Sequence, residues 1–508
     1  MSARTDPSQQ TCPAAFNLAE YVLAGGRDTP DKIALQIVGT GGAERWSYAR
    51  LAAAVGGTAA GLLALGLCPG DRVLMRLANS VDFPIVFLGA IAAGLVPVPT
   101  SSQLTGRETD VLTRLIGPAL IVAGPGIALP DPVPCPVIGP DELASMRTLP
   151  SAGFVRGDPG RPAYIVMTSG TAGSARAVVH AHRAIWARRL MRDGWTGMNG
   201  ADRVLHAGAF NWTYTLGTGL LDPWSLGATA LIPADGTKSD GLPLLLKRYD
   251  ATIFAAAPGI YRQLLKQNLP ALPKLRHGLS AGEALPQSLR QRWHAATGTD
   301  VHEAFGMSEC STFLSGSPAR PAPPGTLGYP QPGRRVAIVD EAGQPLGHSQ
   351  PGTIAIHRDD PGLYLGYLDA PEATEARFSG LWFVTGDQGV MAPDGAIAYL
   401  GRDDDQMNAG GYRVSPLDVE AAFAHHPALA EVAACELRVG PETSVIALFY
   451  VAHEEVSEAE LTSFAEGRLA RYKQPRIYRR LDHMPRSANG KVLRRALREN
   501  HGLTDDKD

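Results

Sequence analysis

A stretch of glycines and hydroxyl-bearing residues has the composition of a loop that binds phosphate. Residues 164–182 read YIVMTSGTAGSARAVVHAH. Gly170 and Gly173 permit the positive φ angles of a tight loop, so that backbone N–H groups can point at an anion. Arg176 adds a fixed positive charge. The hydroxyl donors of the stretch are Thr168, Ser169 and Thr171. These residue types at this spacing predict a loop that holds the phosphates of a nucleotide.

The segments on either side of this loop also carry predictions. Residues 164–167 are too uniformly apolar for a half-exposed strand and predict a buried parallel strand. The residues after Arg176 predict a helix whose N-terminal dipole also favours phosphate. A polar surface turn is the alternative interpretation. A Walker-type loop is excluded, because the only Gly-Lys pair is Gly490-Lys491 and no Gly stands five residues before Gly490.

The composition excludes several other classes of protein. The chain has 508 residues, 44% of them hydrophobic, which is enough for at least two packed domains. A formal net charge of −3 and 19% charged residues give no basic bias, so neither nucleic acid nor an anionic membrane is an expected partner. The five cysteines are far apart and form no CxxC pair, which argues against disulfides and zinc and predicts a cytoplasmic protein.

No secretory or membrane-spanning segment is expected. The first residues, MSARTDPSQQTCPAAF, lack the basic-then-apolar pattern of a signal peptide. The longest uncharged run, residues 83–102, is broken by Pro84, Pro97 and Pro99. It therefore predicts a buried helix followed by a strand.

Helical and strand-like patterns alternate along most of the chain. Strands are predicted at 32–38, 72–77 and 203–207, and Ser47 is expected to cap a helix that runs to about residue 65. This alternation predicts an α/β fold with parallel sheets sandwiched by helices. Short β-like runs between Gly and Pro turns indicate a β subdomain at about 326–400. Residues 415–508 indicate a small α+β domain.

Six motifs follow one another in a family-specific order. They are TSGTAG (168–173), SAGEALP (280–286), EAFGMSE (303–309), WFVTGD (382–387), GRDDDQMNAGGYRV (401–414) and PRSANGKVLRR (485–495). In this order the chain resembles the adenylate-forming superfamily of acyl-CoA synthetases, adenylation domains and luciferases, over residues 16–497. The chain departs from the family pattern at Ala172, Ala175, Arg176, Ala177 and Asn408, and Ser308 replaces the more usual Thr.

The resemblance implies roles for individual residues. Glu309 would hold Mg²⁺, for which a carboxylate is a suitable hard ligand. Asp387 would grip the ribose hydroxyls, and Arg402 would contact the phosphates. Lys491 would be the catalytic lysine, with Glu309 and Arg176 as its catalytic partners. The remaining nucleotide contacts implied are the loop residues Thr168 to Thr171 and Gly173, together with Gly282, Glu283, Ala284, Glu303, Ala304, Phe305, Gly306, Met307 and Ser308.

The resemblance also implies two domains that move relative to one another. A large domain, residues 1–403, would bind ATP and the acid, and a small mobile domain, residues 404–508, would carry Lys491. Asp404 would be the hinge between them. Gly410, Gly411 and Tyr412 would line the channel for the pantetheine of coenzyme A. A homodimer is a further expectation.

Within the superfamily the chain looks most like benzoate-CoA ligases and neighbouring acyl-CoA synthetases. The implied activity is a two-step ligation that uses ATP, Mg²⁺ and coenzyme A, first forming acyl-AMP and pyrophosphate and then acyl-CoA and AMP. The acid would be aromatic or short- to medium-chain aliphatic, since residues 203–221 contain no acidic side chain to pair with an ammonium group. The implied acyl pocket consists of Trp212, Thr213, Tyr214, Ala281, Gly282, Ala304, Phe305, Gly306 and Met307.

Three alternatives remain at this stage. The acceptor could be the thiol of a carrier protein instead of coenzyme A. A non-catalytic nucleotide-binding relative would explain the departures around Arg176, although Glu309, Asp387, Arg402 and Lys491 are retained. Finally, GLSAG at 278–282 fits the G-x-S-x-G elbow of a hydrolase, with Ser280 as the nucleophile.

Overall fold

The computed structural model describes most of the chain, with short gaps. The described residues are 11–169, 175–282, 285–402, 407–409, 412–414, 416–424, 426–440, 443–485, 492 and 494–501. Among them, no helix is long and apolar enough to cross a membrane.

A nine-stranded mixed sheet forms the centre of the molecule. Its six inner strands are parallel, and an antiparallel strand or hairpin lies at each edge. In spatial order the strands are Tyr329–Pro330, Ser311–Ser315, Val301–Met307, His277–Ala281, Ile253–Ala255, Arg203–His206, Thr229–Pro233, Ile33–Val38 and Ala43–Ser47. The parallel strands are almost completely buried, as expected for strands covered on both faces. The predicted α/β class is confirmed.

Among the described residues there are five smaller sheets. A parallel sheet contains Val96–Pro99, Arg72–Arg76, Leu120–Ala123 and Val137–Ile138. An antiparallel sheet contains Gly366–Tyr367, Ala175–Ala181 and Pro162–Ser169. The predicted β subdomain contains Val336–Val339, Pro351–His357, Trp382–Met391, Phe378–Ser379 and Ile397–Arg402. Near the C-terminus lie the hairpin Met407–Ala409 with Tyr412–Val414 and the sheet of Leu429–Gly440, Thr443–Ala452 and Ile477–Arg480.

The helices connect and cover these sheets. The α-helices are Leu18–Ala24, Tyr48–Ala64, Asp82–Ala92, Gly106–Ile116, Pro140–Met146, Arg183–Arg188, Asp222–Ser225, Leu242–Arg248, Pro258–Leu264, Gln287–Thr297, Pro371–Glu375, Pro416–Phe423, Glu458–Glu466 and Arg494–His501. Segments Arg192–Thr196 and Thr215–Leu221 are π-helical, and Ser239–Gly241 and Arg471–Lys473 are 3₁₀ turns. As predicted, Ser47 caps the helix that follows it, where its hydroxyl accepts from the amide of Arg50. The predicted buried helix and strand within 83–102 are also present.

The prediction for residues 164–182 was wrong in its secondary structure. Strand Pro162–Ser169 pairs with Ala175–Ala181 in antiparallel register, with Thr168 opposite Arg176, and the next helix begins only at Arg183. The apolar run is buried as expected, but burial alone does not reveal the direction of the pairing strand. Arg176 therefore lies on a strand and not at the N-terminus of a helix.

The helix Gly106–Ile116 has a complete capping box. The hydroxyl of Thr105 accepts from the amide of Glu108 at 3.3 Å, and Glu108 Oε2 accepts from the amide of Thr105 at 3.0 Å. The helix ends at Gly117, which has a φ of +54° in the left-handed region. The other carboxylate oxygen of Glu108 is turned towards Lys473 in the C-terminal part of the chain, 3.3 Å away.

Candidate active site

A cavity of about 250 Å³ opens at the carboxyl ends of two central parallel strands, His277–Ala281 and Val301–Met307. This edge of a parallel sheet is where α/β proteins usually bind ligands. The sequence-predicted residues that line it are Thr168, Arg176, Trp212, Thr213, Tyr214, Ala281, Gly282, Gly306, Met307, Ser308, Glu309 and Tyr412. The fold thus brings residues from four of the six motifs to one cavity.

Glu309 and Arg176 meet at this cavity through Tyr367. Glu309 is 8% exposed, and its Oε1 accepts a hydrogen bond from the hydroxyl of Tyr367 at 2.7 Å. The guanidinium carbon of Arg176 lies 4.8 Å from the centre of the Tyr367 ring. Burial, together with the charge of Glu309, raises the pKa of Tyr367 to about 12, so the phenol stays protonated and donates. Tyr367 therefore orients the carboxylate beside a positive charge.

The histidines that follow the loop have structural contacts. His180 stacks on Tyr164 with ring centres 4.8 Å apart, and its Nε2 lies 2.7 Å from the carbonyl oxygen of Ser308. The Nδ1 of His182 accepts from the amide of Leu18 at 3.0 Å. Burial lowers the pKa of His180 to about 4 and that of His182 to about 3. Both rings are thus neutral, and His180 fixes the backbone next to Glu309.

Aromatic side chains line the part of the cavity near residues 212–214. The rings of Trp212 and Tyr214 meet edge to face at 5.1 Å, and the π-helix Thr215–Leu221 follows directly. Such π-helical turns often occur at functional sites. Met307 and Ala281 add apolar surface. This end of the cavity suits an uncharged, flat or aliphatic group.

Residues from the C-terminal part of the chain line another side of the cavity. Tyr412 stacks on Trp212 at 6.3 Å and on Tyr472 at 4.2 Å. Next to Tyr472, the ammonium of Lys473 lies 3.4 Å from Asp418 Oδ2. Burial alone would lower the pKa of Lys473, but Tyr472, Asp418 and Glu108 raise it above its ordinary value, so the side chain is charged.

Several predicted nucleotide contacts do not line this cavity, and two of them, Ala304 and Phe305, were also predicted to form the acyl pocket. Glu303 is buried, and its carboxylate accepts from the amide of Leu285 at 3.1 Å and from Arg290. Burial raises the pKa of Glu303, although the Arg290 charge opposes the shift. Ala304 is buried, and the ring of Phe305 packs against Phe313 at 5.5 Å. Glu303 therefore holds the backbone of Leu285 in place.

Asp387 also lies outside the cavity lining. It is 1% exposed, its Oδ1 accepts from the hydroxyl of Tyr399 at 3.3 Å, and its backbone pairs with that of Arg402. The other predicted site residues lie outside the described part of the chain: Gly170, Thr171, Gly173, Glu283, Ala284, Asp404, Gly410, Gly411 and Lys491. The side chains of Ser169 and Arg402 are likewise outside it.

The hydrolase interpretation fails on the position of Ser280. This residue lies inside strand His277–Ala281 and is fully buried, whereas a nucleophile elbow places its serine on an exposed turn after the strand. The next helix begins only at Gln287.

Two family models match the chain in the order that the motifs predict. The model described as AMP-binding enzyme matches residues 24–368, and the AMP-binding enzyme C-terminal domain matches residues 418–491. The chain belongs to the AMP-binding enzyme family. This confirms the superfamily that the motifs predicted.

Individual relatives of this AMP-binding enzyme agree with that assignment. Benzoate–CoA ligase from Thauera aromatica is 31% identical over 94% of this chain and 92% of the relative. Mitochondrial acyl-coenzyme A synthetase ACSM2A from Homo sapiens is 30% identical over 96% of this chain and 92% of the relative. The solved structure of o-succinylbenzoate CoA synthetase from Bacillus subtilis has the same fold, with a TM-score of 0.82 at 23% identity, over 96% of this chain and all of that one.

Sequence reasoning missed several side chains that line the cavity of this AMP-binding enzyme. They are Arg188, Thr218, Ser311, Tyr367, Arg377, Asp418, Tyr472 and Lys473. None of these residues belongs to one of the six motifs, although some of them stand close to a motif in the sequence. Ser311 stands two residues after Glu309, and Arg188 stands in the ARRL run, where a solvated helix face is the ordinary expectation.

Proposed function

We propose that this AMP-binding enzyme is an ATP-dependent carboxylic acid–CoA ligase that activates aromatic or short- to medium-chain aliphatic acids. The observation that carries the proposal is the shared cavity: Glu309 and Arg176 line the same space as the aromatic pair Trp212 and Tyr214. The cavity has one charged side that suits phosphate and one apolar side that suits the tail of an acid. An acyl-adenylate contains both groups and could therefore bind there.

In the first step, an oxygen of the substrate carboxylate attacks the α-phosphorus of ATP, and pyrophosphate leaves. Arg176 stabilises negative charge on the phosphates through its guanidinium. Lys491 bridges the carboxylate and the α-phosphate while they are brought into line, and Asp387 and Arg402 hold the ribose and phosphates. The last three roles rest on the sequence resemblance.

Glu309 is the residue that would hold Mg²⁺. Its carboxylate is oriented by Tyr367 at the cavity wall, and oxygen is the ligand type that Mg²⁺ prefers. In enzymes that use ATP, Mg²⁺ is commonly bound by one or two carboxylates together with the substrate phosphates. When bound, the ion supplies positive charge to the phosphate oxygens.

In the second step, the sulfur of coenzyme A attacks the acyl carbon and its thiol proton passes to solvent. The bond between the acyl carbon and the bridging oxygen breaks, and AMP leaves with that oxygen. The small domain, 404–508, would turn on Asp404 between the two steps and carry Lys491 away. Tyr412, beside Gly410 and Gly411, supports this arrangement because it stacks on Trp212 at the cavity. Cytoplasmic location and a homodimer remain predictions from the sequence.

The acid is expected to carry no ammonium group near its carboxylate. Residues 203–221 offer no counter-charge, and the nearby Asp222 is already paired with Arg188. A buried ammonium without a counter-charge costs several kcal/mol. Free α-amino acids should therefore be rejected.

Pyrophosphate release across a panel of acids, with and without coenzyme A, tests the proposal. Benzoate, cinnamate and hexanoate should release pyrophosphate with ATP, and acyl-CoA should form only when coenzyme A is added. Phenylalanine and leucine serve as matched acids with an ammonium group. Exchange with phenylalanine comparable to that with benzoate would overturn the acid class. If adenylate forms and coenzyme A accepts no acyl group, a carrier-protein thiol becomes the acceptor to test.

A further inference from the structure

A cluster of four polar residues lies at the wall of the cavity next to the aromatic acyl pocket. Arg188 is 8% exposed and makes a two-point ion pair with Asp222: Nε to Oδ1 at 2.8 Å and Nη2 to Oδ2 at 2.6 Å. Nη2 also donates to the hydroxyl of Thr218 at 3.2 Å, and Nη1 donates to the hydroxyl of Ser311. Arg188, Thr218 and Ser311 all line the cavity.

The backbone around this cluster accommodates the guanidinium closely. A Cβ at Gly217 would lie 2.3 Å from the guanidinium carbon of Arg188, so a larger residue at position 217 would displace the guanidinium from its present place. Ser311 has a φ of +61°, in the left-handed region that a non-glycine residue rarely occupies. Such a conformation persists where surrounding contacts demand it, and it places the Ser311 hydroxyl on Arg188.

The hydrogen bonds of Arg188 leave one donor available. A guanidinium has five N–H groups. Four of them are used by Asp222, Thr218 and Ser311, and one N–H of Nη1 has no partner among the described residues. A buried polar donor without a partner is costly, whereas a ligand acceptor at this position would satisfy it.

The charge of the cluster restricts which acceptor fits. Burial alone would lower the pKa of Arg188, but Asp222 raises it, so the pair is ionic and carries no net charge. The charge of Arg188 is already paired with Asp222, so a second carboxylate on the ligand would be buried with no free positive charge beside it. An ammonium group on the ligand would be repelled by the guanidinium. A neutral acceptor avoids both costs.

We propose that Arg188 and Ser311 select acids whose tail carries a neutral hydrogen-bond acceptor, such as a hydroxyl or a carbonyl, over acids with a purely hydrocarbon tail. This inference rests on the proposed ligase function, because it assigns the acid class for the same cavity. Arg188 acts as a specificity residue that contacts the tail, and Asp222 holds its guanidinium in place.

Matched pairs of acids test the inference. The ortho, meta and para isomers of hydroxybenzoate are compared with the corresponding methylbenzoates, which have nearly the same shape but no acceptor. At least one hydroxy isomer should exceed its methyl counterpart about ten-fold or more in kcat/KM, the size expected for a hydrogen bond from a charged donor. Benzenedicarboxylates should be poorer than the methylbenzoates.

Variants then assign the preference to the cluster. Arg188→Met combined with Asp222→Asn removes the ion pair as a unit, and the hydroxy-to-methyl ratio should fall towards one. Arg188→Lys keeps the ion pair and tests the same point if the double variant does not fold, because one ammonium cannot reproduce the guanidinium fork. Arg192→Met, at a half-exposed arginine four residues away, is the control and should leave the ratio unchanged.

The failure of this inference can be separated from failure of the ligase proposal. Calorimetric binding of the same acids in the presence of AMP needs no turnover. Selective binding of a hydroxybenzoate supports the inference even if no acyl-CoA forms. The inference is overturned if kcat/KM is equal for every pair of hydroxybenzoate and methylbenzoate. It is also overturned if the hydroxy-to-methyl ratio is unchanged in both Arg188 variants.

Discussion

The hydroxyl of Tyr367 donates a hydrogen bond to Oε1 of Glu309 at 2.7 Å. The two residues are 58 positions apart in the chain, and their contact joins the three-stranded sheet that contains Ala175–Ala181 to the end of the central strand that precedes Glu309. Because Tyr367 also lies under Arg176, one phenol positions both charged groups at this wall of the cavity.

Tyr367→Phe should weaken the binding of the Mg²⁺ that adenylate formation requires. Loss of a residue that orients a metal ligand typically costs about ten-fold or more in metal affinity or activity. The Mg²⁺ concentration for half-maximal pyrophosphate release should rise by about that factor. Tyr364→Phe, which removes a hydroxyl from the neighbouring ring 5.1 Å away, is the control. An unchanged Mg²⁺ dependence in the Tyr367 variant would argue against Glu309 as the ligand.

Arg176→Ala should raise the apparent KM for ATP by about ten-fold or more, since a charge-assisted contact to phosphate is lost. Arg176→Lys keeps the charge and should be mild. Initial rates at varied ATP and saturating acid measure both effects. If the alanine variant keeps its apparent affinity for ATP, the guanidinium does not contact the phosphates.

Lys491→Ala should nearly abolish adenylate formation and leave acyl-CoA formation from supplied acyl-adenylate largely intact. The reason is that Lys491 would act only before the small domain turns. Separate assays of the two half-reactions measure this, and the supplied acyl-adenylate is the internal control. Equal losses in both half-reactions would contradict the division of labour.

Lys473→Met should slow the thioester step more than adenylation. Lys473 joins Glu108 at 3.3 Å to Asp418 at 3.4 Å, and its loss leaves two partly buried carboxylates without their cation. The uncompensated charges should disfavour the arrangement in which Tyr412 covers Trp212. Lys473→Arg preserves the charge and should be close to the parent enzyme. If the Lys473→Met variant loses equal activity in the adenylation and thioester half-reactions, the ion pair does not favour one arrangement of the two domains over the other.

The stability of the enzyme should fall as the pH drops below about 6.5, because buried histidines resist protonation. Burial lowers the pKa of His206 to about 3. The unfolded chain therefore binds a proton between about pH 6.5 and 3 that the folded chain does not, so the unfolding free energy decreases as pH falls through this range. The slope is at most about 1.4 kcal/mol per pH unit for one such group.

His206→Leu should make that pH dependence shallower, since one titrating group is removed from the unfolded state. Chemical denaturation at several pH values between 7 and 5 measures the slope. His348→Gln, at an exposed position, should leave the slope unchanged. A slope identical to that of the parent protein in the His206 variant would mean that His206 has the same pKa in the folded and unfolded chain.

Much of this protein was determined by sequence alone. The alternation of apolar patterns predicted the parallel sheets, because burial and backbone period are local properties of the chain. The order of the motifs predicted the family. Glu309, Trp212, Tyr214 and Tyr412 were all expected near one site, and all of them line the cavity.

Other features were decided only by the tertiary structure. Strand Ala175–Ala181 pairs in antiparallel register with Pro162–Ser169, and a buried apolar run has the same sequence pattern in parallel and antiparallel sheets. The polar cluster joins Arg188 to Asp222 and Ser311, which lie 34 and 123 positions away. No local pattern encodes such a contact, because an ion pair depends on which elements pack together and not on the spacing within either one.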